Sequence, residues 1–215
     1  MKKVGTILTI AGPSYIENLA EHQRQGAIDV LNTIHKAAAA FNAERDASDA
    51  DQNLTPQGRT AASGKASASA LAQLEAIETT TIKKLTDRAT SIETALRVKA
   101  AHAAPKDSAH EQQLREVRDQ LRGLSASERL NVYRSSTDPL VLAAIETAPM
   151  TLSANRNRLE PFIDPAEVAT AVMARAEIAD PASAKTLAEV RSLAQALRLA
   201  VNGVRKEILD EVPGD

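Results

Sequence analysis

Seven positions near the C-terminal end constrain this chain most: Leu187, Val190, Ala194, Leu197, Val201, Val204 and Ile208 follow alternating steps of three and four residues. Only an α-helix returns residues at that spacing to one face. The segment from Asp180 onward is therefore expected to be one long helix whose seam lies against another helix, from this chain or from a second copy. Those seven residues are the expected interface, and Ala194, the small member, marks the closest backbone approach. Leu193, Leu199 and Leu209 widen the stripe in this reading, while Arg191, Arg198, Arg205, Lys206 and Glu189 flank it.

The same alternation recurs at the other end. Ser14 and Glu17 form an S-x-x-E capping box, and Ile16, Leu19, Gln23, Ala27, Val30, Ile34, Ala37 and Phe41 follow it in steps of three and four. This helix is expected to run to about Ala47, with Gly26 tolerated inside it and the polar stretch 46–53 as a loop. Thr55-Pro56 restarts a helix, because a threonine cap followed by proline in the first turn satisfies a donor and loses none. Its opening turns, Gly58 to Ala70, are rich in Ala and Ser and read as weak or solvated. From Leu71 the pattern firms up through Leu74 and Ile77, then Ile82, Leu85, Ala89, Ile92 and Leu96. Thr79-Thr80-Thr81 is a soft spot, since β-branched residues lose rotamer freedom in a helix. Ending before Pro105, such a helix would be roughly 70 Å long at 1.5 Å per residue.

Shorter elements follow. Ser108 to Glu111 reads as a capping box, with Leu114, Val117 and Leu121 on one face and Gly123 as the C-cap. Ser125 to Glu128 repeats the box and opens a short helix through Tyr133. Asp138-Pro139, Asp164-Pro165 and Asp180-Pro181 each pair an N-cap with proline in the first helical position. Residues 125–179 thus read as short helices broken at Pro149 and Pro161. Val4 to Ile10 is the one β-like run, and Ile7, Leu8 and Ile10 are its apolar members. With no second candidate strand, it is expected as an extended arm on the helices or as a strand added to a partner's sheet. The predicted fold is all-α, an elongated bundle divided into an arm (1–13), a long-helix hairpin (14–104), a short-helix cluster (105–179) and a returning helix (180–215).

Composition narrows what such a bundle can do. Aromatic residues are 2% of the chain (Tyr15, Phe41, Tyr133 and Phe162), so burial rests on Leu, Ile, Val and Ala. The net charge is −2 with both signs interspersed, which gives no basic patch for nucleic acid or anionic lipid. There is no cysteine, which removes disulfides, thiolate catalysis and thiolate-bound zinc. Lys2-Lys3 before an apolar run resembles a signal peptide, but the run contains Thr6 and Thr9 and stops at Gly12-Pro13 without an A-x-A site. No stretch approaches the roughly 20 apolar residues that span a bilayer. Neither a cleaved leader nor a membrane span is expected.

Catalytic patterns are missing. His22, His35, His102 and His110 include no i, i+4 pair, and all four are expected on solvated helix faces. His102 and His110 flank Pro105 and would converge only with a carboxylate supplied from elsewhere. Gly58-Arg59 through Gly64-Lys65 lacks the Ser/Thr and preceding strand of a phosphate loop, and neither G-x-S-x-G nor E-x-x-H occurs. Glu75/Glu78 and Asp210/Glu211 read as solvated pairs. No catalytic, cofactor or metal residue is expected. Asn155, Arg156, Asn157 and Arg158 are the one grouping suited to phosphates or base edges, so a DNA-binding regulator using residues 125–179 is the alternative.

Asn53-Leu54-Thr55-Pro56-Gln57-Gly58-Arg59, leading into an Ala-rich helix, resembles small helical proteins of tailed phages and prophages. So does Asp138-Pro139-Leu140-Val141-Leu142-Ala143-Ala144-Ile145, closed by Ala148-Pro149. The resemblance implies a virion component, located in a virion or a host cytoplasm, that binds copies of itself and another structural protein, and it carries no functional residues with it. Nucleic acid and membrane are not expected partners. A phage ejection protein using its amphipathic helices on membranes is a further alternative.

Overall fold

In the last helix the apolar seam sets which side chains leave water. The computed structural model describes residues 21–102, 105–152 and 159–211. The chain is all-α, and it divides into two compact units: the described residues of 1–91 with 186–215, and those of 92–185.

Among the described residues the first unit is built from four helices or parts of them. Helix α1 (Glu21–Ala50) buries Ala27, Ile34, Ala37 and Phe41 of the seam expected of it and half-buries Val30. Ile16 and Leu19 of that seam, and the Val4–Ile10 run, lie outside the described residues. The polar stretch expected as a loop from residue 46 stays helical to Ala50. The cause is tertiary. Arg45 is buried and reaches Glu211 at 3.0 Å and Asp46 at 3.3 Å, holding the last turn in place.

Helix α2 (Pro56–Ile77) starts as the sequence dictates, with the Thr55 hydroxyl accepting from Gly58 N–H at 3.1 Å. Its opening half is not simply solvated: Ala66, Ser67 and Ala70 are buried, and α2 packs on α1 through Ala66, Ala70, Ala37 and Ala38. Small residues let the two backbones approach, which compensates for the little area each alanine buries. Gly64 is a helix-interior glycine where an added Cβ would meet nothing within 4 Å. Gly64→Ala is therefore expected to stabilise the protein by about 0.5–1 kcal/mol through lost backbone freedom in the unfolded chain. Urea unfolding measures this, and a lower midpoint would contradict it.

The threonine soft spot is a π-helical turn, Glu78–Ile82, which passes directly into α3 (Lys83–Ala100). The apolar stripe steps by five residues from Ile77 to Ile82, and a wider turn with one extra residue puts both on the buried side. Hydroxyls of Thr79 and Thr80 bond back to the carbonyls of Glu75 and Ala76 and ease the transition.

Helix α8 (Pro181–Glu211) buries all seven seam positions and also Leu193 and Ala200. Leu199 and Leu209 do not widen the stripe, being 54% and 55% exposed. At 100° per residue Leu199 lies across the helix from Leu197, and Ala200 takes the inner position. Leu197, Val201, Val204 and Ile208 join Ile34, Phe41, Leu74 and Ile82 in one apolar core.

The second unit contains the shorter elements. Helix α4 (Ser108–Leu121) is capped by Asp107, whose carboxylate accepts from His110 N–H at 2.8 Å, not by Ser108. At its other end the C-cap is Arg122 rather than Gly123. Helix α5 (Ala126–Ser135) carries the expected reciprocal box between Ser125 and Glu128. The Ser125 hydrogen bonds hold the Glu128 carboxyl below its ordinary range. Helix α6 (Pro139–Glu146) and helix α7 (Pro165–Ala179) begin at their Asp-Pro pairs. Between them lies an element the sequence did not announce, a two-residue antiparallel pair with Thr151 opposite Glu160 and Leu152 opposite Leu159. Two residues are too few for an alternating pattern to register. Ser153 to Arg158, the Asn/Arg grouping included, lies outside the described residues.

Asp180 closes α7 and opens α8. Its backbone N–H bonds Ala176, its carboxylate accepts from Ser183, and Lys99 sits 2.9 Å away. The Lys99 ammonium, and then the Ser183 hydrogen bonds, pull the Asp180 carboxyl down to about 2. Since its unfolded value is near 3.9, this junction should stabilise the fold fully above about pH 4 and lose that contribution as pH falls through about 2. Carboxyl-carbon NMR should give a midpoint near 2 for Asp180, and Asp180→Asn should flatten the acid limb of stability. An ordinary midpoint near 4 would refute it.

Candidate functional site

The densest polar chemistry among the described residues gathers at the C-terminal end of α6. Leu142, Ala143, Ala144 and Ile145 are all buried, so this helix ends away from water. Its last carbonyls have no partner within the helix and must find donors elsewhere. Arg118 of α4, itself buried, supplies them: Nε donates to Ala144 O at 2.8 Å, and Nη2 to the Thr147 hydroxyl at 2.7 Å and carbonyl at 3.3 Å. Glu111 balances the charge at 3.0 Å. A cation is the favourable charge at a helix C-terminus.

Glu146 ends the same helix and is the unfavourable charge there, with a side chain only 6% exposed. Donors from three other segments hold it. Its Oε2 accepts from His102 N–H at 2.8 Å, and its Oε1 accepts from the Tyr133 hydroxyl at 2.8 Å and from Arg175 Nη2. His102 Nδ1 lies 3.4 Å from Oε1, and Arg175 also donates to the Tyr133 oxygen at 3.1 Å. The Arg175 guanidinium stands 5.3 Å from the centroid of the Tyr133 ring. Burial pushes the Tyr133 hydroxyl up to about 12, against the pull of Arg175. With both carboxylate oxygens engaged, the arrangement does what a structural clamp does: it ties α5, α6, α7 and the chain after α3 together.

The expected interface residues fall into two groups. Leu187, Val190, Ala194, Leu197, Val201, Val204 and Ile208 are buried within this chain. Ile7, Leu8 and Ile10 lie outside the described residues. His35 is exposed on α1 as expected, and His110 is half-buried with Lys106 N–H 3.4 Å from its Nδ1. His102 departs from the expectation of a solvated helix face, because Glu146 is the carboxylate that meets it. Two of the carboxylates read as solvated are also engaged: Glu78 with Arg205 at 2.6 Å, and Glu211 with Arg45. Among the described residues no three His, Asp or Glu side chains group as a metal site, and no helix is long and apolar enough to cross a membrane.

No protein-family model, curated protein or solved structure matches this sequence.

Proposed function

We propose that this chain is a non-enzymatic structural or assembly protein, a tailed-phage virion component that contacts copies of itself and another structural protein. One observation carries the reading. The buried charged groups Glu146, Arg118 and Arg45 are each engaged in joining helices, as a part built for rigidity requires. Helical surfaces also present large apolar side chains to solvent: Val98 and Ile178 in the second unit, Leu199 and Leu209 in the first. The DNA-binding alternative needs a recognition helix with a polar outer face. Within residues 125–179 helix α6 supplies none, since Leu142 to Ile145 are buried and Glu146 is clamped, whereas α5 exposes Ser127, Asn131 and Arg134, so DNA binding is decided by assay.

Light scattering across a concentration series, beside a mobility-shift assay at two salt concentrations, tests the proposal. Multimers without a DNA shift are expected. A monomer at every concentration that binds DNA with sequence selectivity and steep salt dependence would sink it. Co-purification with particles, rather than retention in the soluble lysate, is the expected result for the virion assignment.

A further inference from the structure

The described residues of the first unit leave an apolar cleft open at one level. A half-open cleft of about 250 Å³ is lined by Gly26, Ala27 and Val30 of α1, Leu85 of α3, and Leu193 and Leu197 of α8. The gap has a cause in the sequence. Where the other levels of α1 offer Ile34 or Phe41, this one offers Gly26 and Ala27, and a Cβ on Gly26 would meet nothing within 4 Å. An apolar cavity of about 150 Å³ is enough to take up benzene, so this one has room for a somewhat larger apolar group.

Two polar residues line the same cleft, Thr81 of the π turn and Arg88 of α3. Thr79, Thr80, Thr86 and Thr90 all direct their hydroxyls to carbonyls of their own helix, whereas the Thr81 hydroxyl makes no such bond. Arg88, exposed on α3 at the edge of the cleft, likewise makes no ion pair or hydrogen bond with the described residues, so its guanidinium is open to water. The wider turn that re-phases the apolar stripe also sets Thr81 on the cleft, and π turns recur at functional sites. The geometry points to a binding site for a small amphiphilic anion, its carboxylate held by Arg88 and Thr81 and its short apolar tail in the cleft. An arginine fork and a hydroxyl suit an oxyanion, and the apolar walls reject a fully hydrated one.

The test is a titration of the full, methyl-labelled chain with sodium octanoate, followed by NMR, with octan-1-ol and inorganic phosphate as controls. Octanoate should shift the Val30, Leu85, Leu193 and Leu197 methyls saturably. Octanol should bind about threefold to fivefold more weakly, the value of a contact to a solvent-exposed charge, and phosphate should leave these methyls unmoved. Arg88→Gln should lose about the same factor while keeping the wild-type melting temperature. Gly26→Leu should fill the cleft and abolish the shifts with no loss of thermal stability. Absence of saturable shifts, equal affinity for octanol, or an Arg88→Gln variant that binds like wild type would each overturn the assignment. So would concentration-dependent shifts of the same methyls without ligand, which would make a second copy the occupant.

Discussion

Val201→Asp is expected to abolish cooperative folding of the first unit, whereas Arg198→Asp, one turn away on the same helix, leaves it intact. Val201 is completely buried, among Ile34, Leu74, Val204 and Ile208 of the same core. A carboxylate there loses its hydration and gains no partner, and its protonation would still leave a polar group in an apolar interior. The penalty of about 4 kcal/mol or more is comparable to the whole stability of an ordinary domain. Arg198 is exposed on α8, where a substitution costs within about 0.5 kcal/mol. Thermal melts followed by circular dichroism separate the two cases. Equal melting temperatures for Val201→Asp, Arg198→Asp and wild type would mean that the seam is not where α8 is held.

The contrast between those two residues is legible in the sequence, because helical periodicity is a local property that survives tertiary context. The same holds for the caps at Thr55, Ser125, Asp138 and Asp164, where acceptor and donor lie two or three residues apart. The π turn also leaves a trace, as a five-residue step between Ile77 and Ile82. What the sequence does not show depends on distant partners. Helix α1 extends to Ala50 because Arg45 meets Glu211, and the Glu78 carboxylate is engaged because α8 brings Arg205 beside it.

The buried clamp has a readable signal that is easily misjudged. Arg45, Arg118 and Glu146 each stand four residues after a buried apolar residue on the same helix: Phe41, Leu114 and Leu142. That spacing places a charge in phase with the apolar stripe. Periodicity alone reads such a position as the end of the stripe, since a charge in the core is costly without a partner. The partner's identity is set by packing, so the sequence shows where a buried charge would sit and not what would neutralise it. His102 illustrates the same limit, because the carboxylate that meets it is 44 residues away.

Glu146→Ala should therefore be the most damaging single change in the second unit. It removes the acceptor for Arg175, the Tyr133 hydroxyl and the His102 N–H at once, leaving a guanidinium that is 28% exposed and a buried hydroxyl without their acceptor. Breaking a buried pair costs about 3 kcal/mol at the lower end of its range, the end that applies here because Arg175 keeps part of its hydration. Glu146→Gln retains an acceptor oxygen of similar reach and should lose less, while Tyr133→Phe removes a single hydrogen bond to a charged group, about 1.5–3 kcal/mol. Urea unfolding at neutral pH, followed by circular dichroism, ranks the three. The alkaline limb gives an independent check. Tyr133 is raised to about 12, above the roughly 10 of an unfolded tyrosine, so its contribution is fully present below about pH 10 and is lost as pH rises through 12. Tyr133→Phe should flatten that limb and leave the acid limb, set in part by Asp180, unchanged. An unaltered midpoint in Glu146→Ala would show that the clamp is ornamental and that the apolar contacts of Leu142, Ile145 and Phe162 hold the unit by themselves.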